Sequence, residues 1–147
     1  MIFVVAFLVF VLDRITKVLA LNFLSGSGSV KVLPGIFHLT LVFNNGTAFG
    51  LLKGRNNLFI LISILIVCAV LFYIWKHRIK DAALSFAAGL ILGGAAGNLF
   101  DRIRFANVID FLDFRVWPVF NVADSCVTAG ILLLAWKALG KKCTPSS

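Results

Sequence analysis

All six acidic residues in this chain are aspartates: Asp13, Asp81, Asp101, Asp110, Asp113 and Asp124. Four of them fall between 101 and 124, a clustering that acids spread for solubility would not show. Asp110 is flanked by Val108–Ile109 and Phe111–Leu112, neighbours that would hold a carboxyl close to an apolar phase. Asp113 is marked only by its closeness to Asp110 and also reads as a loop acid in water. Asp124 stands in Phe120–Asn121–Val122–Ala123–Asp124–Ser125, three residues after Asn121, so the two share one face of a helix. A carboxylate at the edge of an apolar span is costly and usually faces the interior of a helix bundle. The same residues also fit a plain helix N-cap, where negative charge is favourable, and the spacing alone does not choose between the two. A loop of thirteen residues can bring Asp110 and Asp124 together. Two carboxyls a few ångströms apart cannot both ionise easily, so one keeps a proton near neutral pH. Such a pair can hold a water, the ionised member acting as general base while the protonated one polarises a scissile carbonyl. That is amide hydrolysis without a metal, a cofactor or a covalent intermediate. The residues suggest no rival: His38 and His77 are the two histidines, one in a strand-like stretch and one in a distant loop, and no Ser or Cys nucleophile is expected beside either. A His-based metal site is not expected.

The surroundings must place these carboxyls at a membrane. Of 147 residues, 61% are hydrophobic and 14% charged, and the mean hydropathy is +1.02. That is too few charges to cover a globular surface and more apolar than a water-soluble domain. Four apolar runs stand out, at 2–24, 58–75, 82–100 and 122–139. A bilayer core about 30 Å thick needs about 20 helical residues, and backbone in lipid must satisfy its own hydrogen bonds. The expected fold is therefore an all-α polytopic membrane protein, one domain over 1–147, with four transmembrane helices. The first residues carry no basic region and no small-residue cleavage site, so they read as a retained span. Between the first two runs, Ser25–Gly26–Ser27–Gly28–Ser29 is a flexible link. Ile36 to Phe43 then alternates, with Phe37, Leu39, Leu41 and Phe43 on one face and His38 and Thr40 on the other, a strand period. Pro34–Gly35 and Asn44–Asn45–Gly46 read as turns. A small extracytoplasmic β-sheet is expected over about 30–52, between helices 1 and 2.

Four spans put both termini on one side. The loop Lys76–His77–Arg78–Ile79–Lys80 lies on that side and is nearly all basic, which favours cytoplasmic termini. The opposite side carries Lys31, Lys53, Arg55, Arg102, Arg104 and Arg115, spread among motifs. The net charge of +8 suits anionic lipid headgroups here, not nucleic acid. Cys68, Cys126 and Cys143 form neither a disulfide framework nor a CxxC pattern.

Two further constellations belong with the carboxyls. Gly89, Gly93 and Gly97 form a small-residue stripe for close helix approach, and Gly94, Asn98, Asp101 and Arg102 follow at helical spacing. Asn98 and Arg102 read either as packing elements or as side chains that reach into a site and bind substrate backbone. On the first run, Asp13, Thr16 and Lys17 share a face, and a buried Asp13–Lys17 pair is the expected structural solution for charge within lipid.

Taken in order, Asp13–Arg14–Ile15–Thr16–Lys17, Asn44–Asn45–Gly46–Thr47–Ala48–Phe49–Gly50, Gly93–Gly94–Ala95–Ala96–Gly97–Asn98–Leu99–Phe100–Asp101–Arg102, Val108–Ile109–Asp110–Phe111 and Phe120–Asn121–Val122–Ala123–Asp124–Ser125 resemble the lipoprotein signal peptidase (signal peptidase II) family over nearly the whole chain. The resemblance implies a bacterial inner-membrane aspartyl endopeptidase that cuts a diacylglyceryl-modified prolipoprotein just before its lipidated Cys. It implies a catalytic dyad at Asp110 and Asp124, with Asn44, Asn98, Arg102 and Asn121 lining the substrate site. Asp13, Lys17, Gly94 and Asp101 then support that site, Asp101 as an ion-paired neighbour of Arg102. The site would lie near the extracytoplasmic face of a monomer whose partners are substrate and membrane lipid. The β segment around 30–43 would clamp the peptide from above. The chain departs from the family pattern in a short Asp110–Asp124 loop and in Phe43, where a basic residue or His is usual. Two other classes fit parts of the same pattern. An ion or proton conductor would use the intramembrane Asp and Asn residues as a relay and would give flux without a peptide product. A non-catalytic assembly factor would use the Gly stripe and would survive loss of either dyad acid.

Overall fold

The computed structural model describes residues 1–46 and 56–140. Thr47 to Gly50 of the asparagine motif, residues 47–52 of the expected β segment, Lys53, Arg55 and Cys143 lie outside the described residues. The elements run α1 (Ile2–Leu24), β1 (Ser29–Leu33), β2 (Phe37–Asn44), α2 (Asn56–His77), α3 (Ala82–Phe105), β3 (Val108–Asp113) and α4 (Val122–Gly140). The four helices fall on the four apolar runs; α2 reaches Asn56 and His77, and α3 continues to Phe105.

Each helix is placed by which of its faces needs protein rather than lipid. On α1 the buried residues are Ile2, Ala6, Val9, Asp13, Lys17, Ala20 and Leu24, one stripe at helical spacing. The opposite face, with Phe3, Phe7 and Leu8, is exposed and equally apolar, as a lipid solvent allows. α3 is the centre of the bundle because it is narrow on two sides. A Cβ on Gly93 would come 2.5 Å from the Ala6 carbonyl oxygen of α1, and one on Gly94 would come 2.5 Å from the Ala123 carbonyl oxygen of α4. Backbone therefore meets backbone on both flanks. α2 buries only Ser63, whose hydroxyl donates to the Phe59 carbonyl at 2.8 Å. Among the described residues, three helices, α2, α3 and α4, are long and apolar enough to cross a membrane. α1 is 23 residues long but carries Asp13, Arg14 and Lys17.

The sheet departs from expectation. It has three antiparallel strands in the order β1-β2-β3, and the third comes from between α3 and α4, not from between α1 and α2. The segment 108–113 is β-branched and aromatic, and β2 presents it with an edge whose backbone groups need partners. The acid-bearing loop is thus a strand, and Asp110 is held in register opposite Val42. The alternation expected through β2 does not run its full length. Between Leu39↔Leu112 and Val42↔Asp110, β2 advances three residues against two on β3, a bulge that re-aims the side chains beyond it. An apolar plug of Ala20, Leu24 and Phe111, with Leu39, Leu41, Leu112 and Val122 packed on it, ties the sheet to the ends of α1 and α4.

Candidate active site

Asn121 and Asp124 resolve the two readings of the α4 start by satisfying both. The Asn121 side-chain oxygen accepts from the Asp124 backbone N–H at 2.9 Å, and Asp124 Oδ2 accepts from the Asn121 N–H at 3.4 Å. That is a reciprocal capping box with Asp in the place of the usual Glu. The cap leaves Asp124 Oδ1 over, and it accepts from Asn98 Nδ2 at 2.7 Å. The capping residue itself is fully buried, and its amide Nδ2 faces Asp110 Oδ1 at 2.7 Å, Asn98 Oδ1 at 3.1 Å and the Ile109 carbonyl at 3.4 Å. Asn121 therefore links the two acids, its side chain donating to the Asp110 carboxyl and its backbone N–H to the Asp124 carboxyl. Asp110, 1% exposed, takes its second donor from Asn44 Nδ2 at 2.8 Å. Asn44 is held by its own turn, its Oδ1 accepting from the Gly46 N–H at 3.0 Å with Gly46 in the left-handed region.

Amides supply the donors at both carboxyls. Among the described residues no Lys or Arg hydrogen-bonds to Asp110 or Asp124. Burial pushes the Asp110 carboxyl up to about 7, and the Asp124 charge adds to that. The donors Asn44 and Asn121 and the Lys17 charge pull the other way but do not offset it. A carboxyl so placed holds a proton at neutral pH beside a second carboxyl, the condition for acid–base work on a water.

Immediately beneath lies a different acid pair. Asp13 and Asp101 are fully buried and share two cations. Lys17 Nζ donates to Asp101 at 2.7 Å, Asn98 Oδ1 at 2.9 Å and Asp13 at 3.1 Å. Arg14 pairs with Asp101, and with Asp13 at 2.6 Å, and reaches the Gly97 carbonyl at 3.3 Å. The spare oxygens of this network hold backbone next to the upper pair. Asp101 Oδ2 accepts from the Ile109 N–H at 3.2 Å, and Asp13 Oδ1 accepts from the Ala123 N–H at 3.2 Å. Each contact falls on the residue immediately before a site carboxylate.

The Asp13–Lys17 pair expected from spacing is present, and Asn44, Asn98 and Asn121 come together around Asp110 and Asp124. Gly94 sits against Ala123 and so sets how close the start of α4 lies to α3. The expected Asp101–Arg102 pairing is not formed. Asp101 faces α1 and is taken by Arg14 and Lys17, whereas the Arg102 guanidinium lies 5.5 Å over the Phe59 ring of α2 and within the fields of Asp124 and Asp110. Arg14 was legible only as a motif letter; its signal was a second cation beside Asp13 within an apolar run. The expectation that no Ser stands beside a His also fails. Ser29 Oγ lies 3.4 Å from His38 Nδ1, because β1 and β2 pair across the turn. The contact does not make a nucleophile. Ser29 Oγ also meets Thr40 Oγ1 at 2.8 Å, Thr40 donates to Asp113 at 2.8 Å, and among the described residues His38 Nε2 has no partner where a triad needs a carboxylate to orient the ring. Asp113 belongs to this cross-strand chain and pairs with Arg115 at 3.1 Å, apart from the upper carboxyls.

Comparison with known proteins shows the family and the fold. Residues 5–140 match the family described as Signal peptidase (SPase) II. The lipoprotein signal peptidase of Halothermothrix orenii is 46% identical over 134 residues, covering 91% of this chain and 92% of its own length. That of Pelotomaculum thermopropionicum is 42% identical over 137 residues, covering 93% and 90%. A bacterial membrane enzyme solved by the in meso method at 2.3 Å superposes with a TM-score of 0.87 at 29% identity, covering 98% of this chain and 90% of that one. A second, at 1.9 Å, gives 0.83 at 31% identity, covering 92% and 90%. With matches in sequence and in fold that run almost end to end, the chain belongs to the signal peptidase II family.

Proposed function

We propose that this membrane protease is an aspartyl endopeptidase whose dyad is Asp110 and Asp124. Its substrate is a diacylglyceryl-modified prolipoprotein, and it removes the signal peptide by cutting before the lipidated Cys. Asp110, pushed up to about 7, holds the shared proton and donates it toward the scissile carbonyl oxygen. Asp124, fixed by Asn98 and by its own cap, takes a proton from the attacking water. The water oxygen bonds to the carbonyl carbon. Asp124 then passes that proton to the amide nitrogen as the C–N bond breaks, and a hydroxyl of the gem-diol returns its proton to Asp110, which restores the dyad to its starting state. Asn44, Asn98, Arg102 and Asn121 line the site. Asn98 and Asn121 spend their amides on the carboxyls and so position them, which leaves Arg102 the more available to substrate backbone.

All four helices span the inner membrane in this reading, α1 included. Its three charges face α3 and α4 and are paired there, so none meets lipid alone. The termini are cytoplasmic, the dyad lies toward the extracytoplasmic face, and the working unit is a monomer. No metal or cofactor takes part.

The observation that carries the reading is the contrast in partners: Asp110, buried, and Asp124, half-buried, are joined through Asn121 and bonded by amides, while the neighbouring acids are consumed by cations. The test is cleavage of a lipidated precursor peptide by purified protein in detergent. Cutting before the modified Cys, lost in Asp110→Asn and in Asp124→Asn and indifferent to chelator, is the expected result. Full activity in Asp110→Asn would overturn the assignment and turn attention to Asp101.

A further inference from the structure

The end of the bundle away from the dyad holds a cavity of about 550 Å³. That is well within the range of about 300–1,000 Å³ typical of small-molecule sites. Ala69 and Tyr73 of α2, Ile79 of the α2–α3 connection, Ala88 and Ile91 of α3, and Lys137 of α4 line it. At about 1.5 Å per helical residue, Lys137 stands roughly 20 Å along α4 from Asp124, so this is not part of the peptidase site. The walls are apolar and are shared among α2, α3 and α4.

The mouth has a different character. Lys137 lines it, and Arg78 and Lys80 flank the lining residue Ile79 in the chain. The His77 ring lies tilted against Tyr73, centroids 4.5 Å apart, and Lys76 lies 5.9 Å over the Phe72 ring. Asp81 is the one acid near this rim among the described residues, and it is fully used. Its Oδ1 caps α3 through the Leu84 N–H at 2.9 Å, and its Oδ2 pairs with Lys137 at 3.1 Å. Lys76, Arg78 and Lys80 have no ion-pair partner among the described residues. Arg78 moreover sits at φ 43, closing α2 in a left-handed position where Gly is the least costly residue. The chain accepts that backbone cost and places a cation there.

We propose that this slot binds an anionic phospholipid from the leaflet at that end, with an acyl chain between α2, α3 and α4 and the phosphate on Arg78 and Lys80. Basic rims on gaps between membrane helices suit anionic headgroups. The other apolar molecule at hand is a signal peptide, but its apolar segment follows a basic N-terminal region that this collar repels. The inference requires α2, α3 and α4 to lie in a membrane and is independent of which acids cut the peptide.

Native mass spectrometry of the detergent-purified full chain tests it, with phosphatidylglycerol and phosphatidylcholine of identical acyl chains as separate probes. Phosphatidylglycerol is expected to be retained roughly 30-fold more, as two nearby cations would give. Arg78→Gln with Lys80→Gln should lower it to the phosphatidylcholine level. Ala69→Trp, which fills the slot from its exposed wall, should lower both lipids. Both variants should cleave precursor peptide at the wild-type rate, which also shows that they are folded. Equal retention of the two lipids, or phosphatidylglycerol binding untouched by Ala69→Trp, overturns the proposal. So does a photoreactive signal peptide that labels Ala69 or Ile91 and is displaced by neither lipid.

Discussion

Two pairs of aspartates lie one above the other in this bundle, and they are compensated in opposite ways. The lower pair, Asp13 and Asp101, faces Arg14 and Lys17: two negative charges, two positive charges, every carboxylate oxygen bonded. The upper pair, Asp110 and Asp124, is offered the amides of Asn44, Asn98 and Asn121. Amides satisfy the geometry of a carboxylate without cancelling its charge, so burial and mutual repulsion stay unanswered and a proton is retained. Burial of an Asp is therefore no guide to its protonation; the kind of donor beside it is. Asn98 joins the two layers, accepting from Lys17 below and donating to Asp124 above.

Neutralising one acid in each layer should break the comparison most sharply. Asp124→Asn is expected to lower cleavage by about 10³-fold or more, within the range a positioned acid–base group supplies. It removes the single charge of the pair, which no cation bonds, and should leave thermal unfolding in detergent unchanged or slightly raised. Asp101→Asn should do the reverse. It leaves Arg14 and Lys17 with an uncompensated positive charge and frees the Ile109 N–H, a loss on the order of 3–5 kcal/mol for a broken buried pair. Tryptophan fluorescence during heating and a peptide assay on the surviving folded fraction would separate the two outcomes.

pH should sharpen the same contrast. Cleavage that needs Asp110 protonated falls as pH rises through about 7, roughly tenfold per unit beyond it. Stability follows the same sign. The folded chain keeps the Asp110 proton up to about 7 while the unfolded chain releases it near 3.8, so the folded state holds more protons between those values and loses stability as pH rises across that window. Unfolding midpoints measured at pH 5 and pH 8 in wild type and Asp110→Asn should show the pH dependence shrinking in the variant. The smallest effect should come from Asp113→Asn. Its partner Arg115 is 51% exposed, and a pair with one end in solvent is screened to about 1 kcal/mol. Cleavage should stay at the wild-type rate.

Much of this was legible in residue types and spacing. Four apolar runs of bilayer length gave the helices, because lipid leaves the backbone no alternative. The i, i+3 spacing of Asn121 and Asp124 showed a shared face, although not that cap and carboxylate would be one device. The spacing of Asp13 and Lys17 showed the buried pair. The third strand was not legible, because 108–113 is short and finds its partner only when β2, some 65 residues earlier, is brought alongside. The partner of Asp101 was misread for a related reason. Adjacency in sequence suggested Arg102, but successive residues on a helix point about 100° apart, and α3 turns Asp101 toward α1.

The central claim is that Asp110 and Asp124 form one coupled unit that holds a single proton. Carbon-13 NMR of the Asp110 carboxyl, titrated in wild type and in Asp124→Asn, tests it most directly. The account predicts a midpoint near 7 in wild type that falls once the Asp124 charge is gone, while staying above 3.8 because burial remains. A wild-type midpoint near 4, or one indifferent to Asp124→Asn, would contradict it.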